Sequence, residues 1–203
     1  MPWCALERSL AEDVADSFLA KIGATESAFW KLGAIDQITQ ARLGLSGPVM
    51  APLDPALVVE DASTFAFELS SLIAPRFEAE IGVSISGGRL LAAGCVEIAD
   101  SRFRNWDLPP FGVIADASLQ GVMLFGPPMA PVDEISVTIK HEDQFRETRQ
   151  GAWSDAVHRL ELLPQNLSPR TVATGAISEM FECNPGTWTF DFGYLGVITV
   201  LVS

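Results

Sequence analysis

Between Arg76 and Val83 ("RFEAEIGV"), Phe77, Ala79, Ile81 and Val83 share one parity, while Arg76, Glu78, Glu80 and Gly82 share the other. That is the period of a β-strand with one buried face. The same reading predicts strands over 64–72, 76–85, 89–100, 120–126, 134–140, 171–178 and 186–202, punctuated by Gly and Pro. "SAFWKLGAI" predicts a further strand, ended by Gly33. Helical spacing is scarcer. Leu10, Val14, Phe18 and Leu19 fall on one side of a helix predicted from about residue 5 to 22. "TQARLGL" predicts a short helix, and "GAWSDAVHRLELL" another over 151–163. "SGPVMAPLDP" predicts a loop, and no internal repeat or low-complexity segment interrupts the pattern. The class is α+β, mostly β, with a few short helices and no βαβ alternation.

Composition narrows the function classes. A chain of 203 residues with 48% apolar content can build one sizeable core. Its formal net charge is −13, and its only lysines are Lys21, Lys31 and Lys140. Nucleic acid and anionic membrane surfaces are therefore poor partners, since both need a basic face. No apolar run reaches the roughly 18 residues of a membrane span. The acidic N-terminus lacks the pattern of a secretory signal. Cys4, Cys95 and Cys183 are far apart, with no CxxC. They are expected as reduced thiols of a cytoplasmic protein, Cys4 exposed and the other two in the core.

Charge on the strand at 76–85 raises a question of chemistry. Glu78 and Glu80 project from one face with Cα atoms roughly 7 Å apart. Unpaired, they repel and raise each other's pKa. Two readings fit: a solvated face on which Arg76 relieves the charge, or a hard-cation site built from oxygen ligands. The next strand adds Glu97, set in an apolar run, and buried glutamates are rare unless paired or metal-bound. A hairpin through "ISGGR" makes the two strands antiparallel neighbours. This glycine-rich turn opens no helix, so it is no phosphate loop. Asp100 is expected to pair with Arg102 or Arg104.

Five segments carry a resemblance: "FWKLGAIDQITQARLGLSGPVMAPL", "PRFEAEIGV", "VEIADSRFRNW", "IADASLQGVMLFG" and "VATGAIS". Together they resemble the 2-keto-4-pentenoate hydratase / 4-oxalocrotonate decarboxylase group of the fumarylacetoacetate hydrolase superfamily, from about residue 28 to 203. The resemblance implies a mixed β-roll catalytic domain over 28–203 behind an N-terminal helical segment, 1–27. It implies Glu78, Glu80 and Glu97 as ligands of Mg²⁺ or Mn²⁺, and Lys31 as a catalytic lysine. It further implies substrate contacts at Leu32, Gly33, Asp116, Thr174 and Gly175. Lys31 lies between Trp30 and Leu32 on an apolar strand, where burial is expected to lower its pKa; the alternative is a surface lysine on an edge strand.

The implied activity is that of a lyase in aromatic-compound degradation. A small 2-oxo acid chelates the cation, which stabilises an enolate or dienolate. A hydratase then adds water, whereas a decarboxylase reaches the dienolate by losing CO₂. Two alternatives remain: a C–C hydrolase of acylpyruvates, and an inactive relative acting as a binding or partner subunit. The group also implies a homo-oligomer, or association with a related subunit.

Several positions depart from the group's pattern. "ADNASS" reads here Ala115, Asp116, Ala117, Ser118, Leu119, Gln120, and "TGSLT" reads Thr174, Gly175, Ala176, Ile177, Ser178. These changes touch the substrate side and leave the acidic triad intact. The superfamily's C–C hydrolases use a His–Glu pair ahead of the metal strand. Here the only histidines are His141 and His158, both downstream, which lowers the hydrolase reading. His141 is expected in solvent, and His158 as a surface or packing residue. Trp106, Trp153 and Trp188 are expected as core or interface anchors.

Overall fold

The computed structural model describes residues 7–203. Cys4 and the first residues of the predicted N-terminal helix lie outside them. The elements in chain order are α1 (Arg8–Lys21), β1 (Phe29–Gly33), α2 (Gln37–Arg42), β2 (Val49–Pro52), β3 (Val58–Val59), β4 (Thr64–Phe67), β5 (Arg76–Ser86) and β6 (Arg89–Ala99). There follow α3 (Gly112–Ala115), β7 (Val122–Phe125), β8 (Glu134–His141), β9 (Gln144–Ala152), α4 (Trp153–Arg159), β10 (Thr171–Ala176), β11 (Phe181–Glu182), β12 (Gly186–Asp191) and β13 (Val197–Val202). None of the described helices is long and apolar enough to cross a membrane.

Two sheets form. The larger runs β2-β1-β10-β5-β6-β7-β3, with β11 added to β5, and the smaller runs β4-β13-β12-β8-β9. The core lies between them. The larger sheet supplies Phe77, Ala79, Ile81, Val83, Val96 and Ile98; the smaller supplies Ile135, Val137, Ile139, Trp188, Phe190 and Ile198. Each large side chain so buried contributes about 1.5–3 kcal/mol. Phe77 sits at the seam, with its ring 5.1 Å from Trp188 and 5.4 Å from Phe190. The parity that fills this core sends Glu78, Glu80 and Glu97 to the opposite face of the larger sheet. Gly87 and Gly88 close the β5–β6 hairpin with φ of 55° and 75°, the left-handed pair that a two-residue turn needs. On the far side α1 packs over α3, with Leu19 against Ala24 and Ala117.

Some elements differ from the sequence reading. The strand read over 186–202 is two strands, because Gly193 and Gly196 take φ of 60° and 94° between them. The strand read over 64–72 stops at Phe67. The helix read over 151–163 is α4 followed by a 3₁₀ turn, its first residues belonging to β9. Strand β9 was not expected, and neither were the short β2, β3 and β11.

Two polar expectations are corrected. The Asp100 carboxylate accepts the backbone N–H groups of Ile73 (3.1 Å) and Ala74 (2.8 Å), because the chain entering β5 passes it there. Arg102 pairs instead with Asp116 at 3.1 Å. His141 does not stand free in solvent. It stacks on Trp188 with ring centres 4.4 Å apart, and its ring nitrogens meet the Pro185 carbonyl and Arg146. His158 forms an exposed pair with Glu161. Trp188 is a core residue, Trp153 packs against the core, and Cys95 and Cys183 are buried.

Candidate metal centre and its cavity

The β5–β6 register places Glu78 directly opposite Glu97 and Glu80 opposite Cys95. Carboxylate oxygens of Glu78, Glu80 and Glu97 all come within 4.8 Å of one another. Glu80 and Glu97 are each only 1% exposed. A bulge in β10 between Ala173 and Ala176 turns the backbone toward Glu80, whose Oε2 accepts the Gly175 N–H at 2.8 Å. Gly175 takes φ of 93°, and a Cβ there would lie 2.7 Å from Ile35. Glycine is thus needed both for the turn and for the close approach.

Lys31 reaches the acidic group from β1. Its Nζ donates to Glu97 and to the Ser118 carbonyl at 2.8 Å. Burial lowers its pKa, but Glu97, Glu80 and Glu78 together outweigh burial and raise it. The expected lowering is therefore corrected: the opposing charges around this lysine are not evident from its own strand. The carboxylates carry the cost. Burial, then repulsion by Glu97, pushes Glu78 up to about 8. Burial first, then Glu97, raises Glu80 well above the ordinary range. Three acids share one ammonium, and Oε2 of Glu97 is buried without a hydrogen-bond partner. An all-oxygen donor set with uncompensated charge and an orphaned oxygen fits a hard divalent cation.

These groups line a cavity of about 730 Å³. Leu32, Gly33, Val113 and Leu119 contribute to its wall, together with Arg76 and Trp106. Arg76 stacks over Trp106 at 4.5 Å and has no acidic partner among the described residues, so a positive charge is available to an anionic ligand. Asp116 and Thr174, expected at the substrate, do not line this cavity. Asp116 is taken up by Arg102 and Ser101, and the Thr174 hydroxyl donates to the Ile81 carbonyl at 2.8 Å. Gly175 acts through its N–H on Glu80. Neither histidine lines the cavity.

One residue escaped the sequence reading. Ser118 is 2% exposed and lines the cavity, and its Oγ has no partner. It lies in a run of three left-handed residues, Ala117, Ser118 and Leu119, with φ of 46°, 63° and 61°. Such a run costs roughly 1 kcal/mol or more per residue. Its anchors are the Arg102–Asp116 pair, Asp100 N–H to the Leu119 carbonyl (2.9 Å) and Asp54 N–H to Gln120 (3.0 Å). No composition signal marks three such residues without a glycine.

Comparison with known proteins matches this picture. No family model matches the chain. It is 25% identical over 122 residues to the 2-keto-4-pentenoate hydratase of Paraburkholderia phymatum, a match covering 53% of this chain and 46% of that protein. The chain thus spans about half the length of the curated relatives it matches. Among solved structures, 4-oxalocrotonate decarboxylase from Pseudomonas putida G7, complexed with magnesium and adipate, superposes with a TM-score of 0.81. Its identity is 21%, over 97% of this chain and 86% of that one. Fumarylpyruvate hydrolase from Pseudomonas aeruginosa, in complex with Mn²⁺ and pyruvate, gives 0.61 at 12% identity, over 86% and 88% of the two chains. The fold is that of the fumarylacetoacetate hydrolase superfamily. Within it, the resemblance to the 2-keto-4-pentenoate hydratase / 4-oxalocrotonate decarboxylase group is borne out.

Proposed function

We propose that this chain is a divalent-cation-dependent lyase acting on a small 2-oxo acid through an enolate or dienolate. The reading rests on one observation: three carboxylates and one ammonium converge on a cavity large enough for a small organic acid. Glu78, Glu80 and Glu97 would hold the ion. When bound, such a cation supplies positive charge that draws the carboxylate and keto oxygens of a 2-oxo acid and offsets enolate charge. Two structural neighbours, one complexed with magnesium and adipate and one with Mn²⁺ and pyruvate, support this pairing.

The chain's own residues have separate tasks. Glu80 is oriented by the Gly175 N–H, and Glu97 by Lys31. Lys31, held by the Ser118 carbonyl, is placed to hold or move a proton at the substrate carbon. Leu32, Val113 and Leu119 exclude water from the hydrocarbon part. Arg76 offers its charge to the incoming acid.

Calorimetry tests the site directly. Mg²⁺, followed by oxalate as an enolate mimic, should each give a binding signal; absence of both ends the metalloenzyme reading. Turnover is read as loss of dienol absorbance with a panel of 2-oxo-4-enoic acids. Gas release separates decarboxylation from hydration.

A further inference from the structure

A second cavity of about 350 Å³ lies between α1 and β2, bounded in part by Asp16, Trp30, Ser46, Gly47 and Ala51. Ser118 lines this cavity as well as the main one. It therefore stands in the wall between them, and its buried hydroxyl is unpaired. In a native structure such a hydroxyl calls for a partner. The Oγ lies 2.8 Å from where a Cβ on residue 33 would be, so Gly33 leaves the space beside it open on the main-cavity side. Lys31 has spare capacity at the same place. Its ammonium has three N–H donors and uses two, one of them on the carbonyl of Ser118.

We propose that the Ser118 hydroxyl and the free N–H of Lys31 seat a water molecule beside the substrate, fed through the second cavity, and that the chain's reaction is therefore water addition. The inference deepens the 2-oxo acid reading and rests on it. Because Ser118 lines both cavities, the second one offers water a route to this seat that does not cross the space taken by the substrate. Addition is balanced without an oxidant. The dienol first moves its 2-hydroxyl proton to C5; the water oxygen then bonds to C4 as the C3=C4 π bond opens, Lys31 gives a proton to C3, and the proton lost by the water returns to Lys31. Loss of CO₂ forms no bond to water oxygen, and a decarboxylase would have no use for this seat.

Three variants test it: Ser118→Ala, Ser118→Gly and Gly47→Phe. Ser118→Gly removes the hydroxyl while easing the left-handed backbone, so it guards against misfolding. Residue 47 has nothing within 4 Å of an added Cβ, so Gly47→Phe can block the second cavity at little packing cost. Each is assayed as Mg²⁺-loaded protein on short and long 2-oxo-4-enoic acids in their dienol form, with Mg²⁺ and oxalate titrations alongside. The expected result is a fall in hydration kcat of about tenfold in both serine variants. Gly47→Phe should lower the same constant. KM, Mg²⁺ affinity and oxalate affinity should stay within about twofold throughout. Unchanged hydration in the serine variants overturns the proposal, as does oxalate affinity falling in parallel with turnover. Wild-type protein that binds Mg²⁺ and oxalate yet hydrates no member of the panel, or only releases CO₂, also overturns it while leaving the metal reading standing. Absence of any Mg²⁺ or oxalate signal removes both.

Discussion

In metal-free protein, Glu78→Gln is expected to be stabilising, and more so as the pH rises. Glu78 protonates near 4.5 in an ordinary setting and near 8 in the folded site, because burial and the Glu97 carboxylate both oppose its charge. Below pH 4.5 the carboxyl is protonated in both folded and unfolded chains and costs nothing. As the pH rises toward 8 the unfolded chain releases the proton while the folded one keeps it. Stability is therefore lost across that window and levels off above it. Each decade in proton affinity is worth about 1.4 kcal/mol, which sets a ceiling of about 5 kcal/mol. Glu78 is only partly buried and can relax outward, so about 2 kcal/mol by pH 8 is the working figure. Glutamine keeps the shape and removes the ionisation. The assay is urea unfolding of both proteins in chelator from pH 4 to 9, read as variant minus wild type, which cancels the titration of the other acids. The difference should rise from near zero at pH 4 to its plateau near pH 8, and excess Mg²⁺ should reverse its sign. A flat or negative difference in chelator would mean that Glu78 faces solvent or is neutralised by Arg76, and the metal centre would lose its electrostatic basis.

Glu80→Gln should abolish Mg²⁺ binding by calorimetry while leaving the metal-free protein at least as stable at neutral pH, since its Gly175 contact needs only an acceptor and the charge that burial and Glu97 oppose is gone; a loss of stability would contradict the assignment. Asp116→Ala should cost about 2 kcal/mol in denaturant, because it strips Arg102 of its partner and unpins the left-handed run; retained stability would place the loop's anchor elsewhere. Gly94→Ala should cost about 1–3 kcal/mol by thermal unfolding, since its Cβ would fall 2.6 Å from the Phe192 ring; a neutral result would mean that this ring moves freely.

How much of this was legible in the chain depends on what kind of information each feature uses. The β5–β6 hairpin was readable because one face is apolar without exception and the turn is two glycines. Strand β9 was not. "QFRETRQGA" carries charge on both faces, being an edge strand whose side chains are mostly exposed, so no alternation survives. The single strand read over 186–202 failed for the opposite reason. Both halves are apolar enough to read as one, and only the left-handed Gly193 and Gly196 reveal the reversal.

The acidic site divides along the same line. Residue type and parity made Glu78, Glu80 and Glu97 candidates and the family resemblance implied their role as ligands, but the proton affinity of Lys31 depends on neighbours from other strands, and its strand alone predicts the wrong direction. The substituted motif shows the limit most clearly. Leu119 and Ala176 line the main cavity, whereas Gln120 turns away and fastens the loop to Asp54. Two departures therefore make the wall more apolar, and one strengthens the loop. At those two positions the side chains offer nothing that could orient an oxygen. What remains beside Lys31 is one buried, unpaired hydroxyl, held in a backbone conformation that only its surroundings can sustain. Strain retained at the one polar position in an otherwise apolar stretch is hard to explain as packing, since a glycine at 118 would relieve it and an alanine would pack as well.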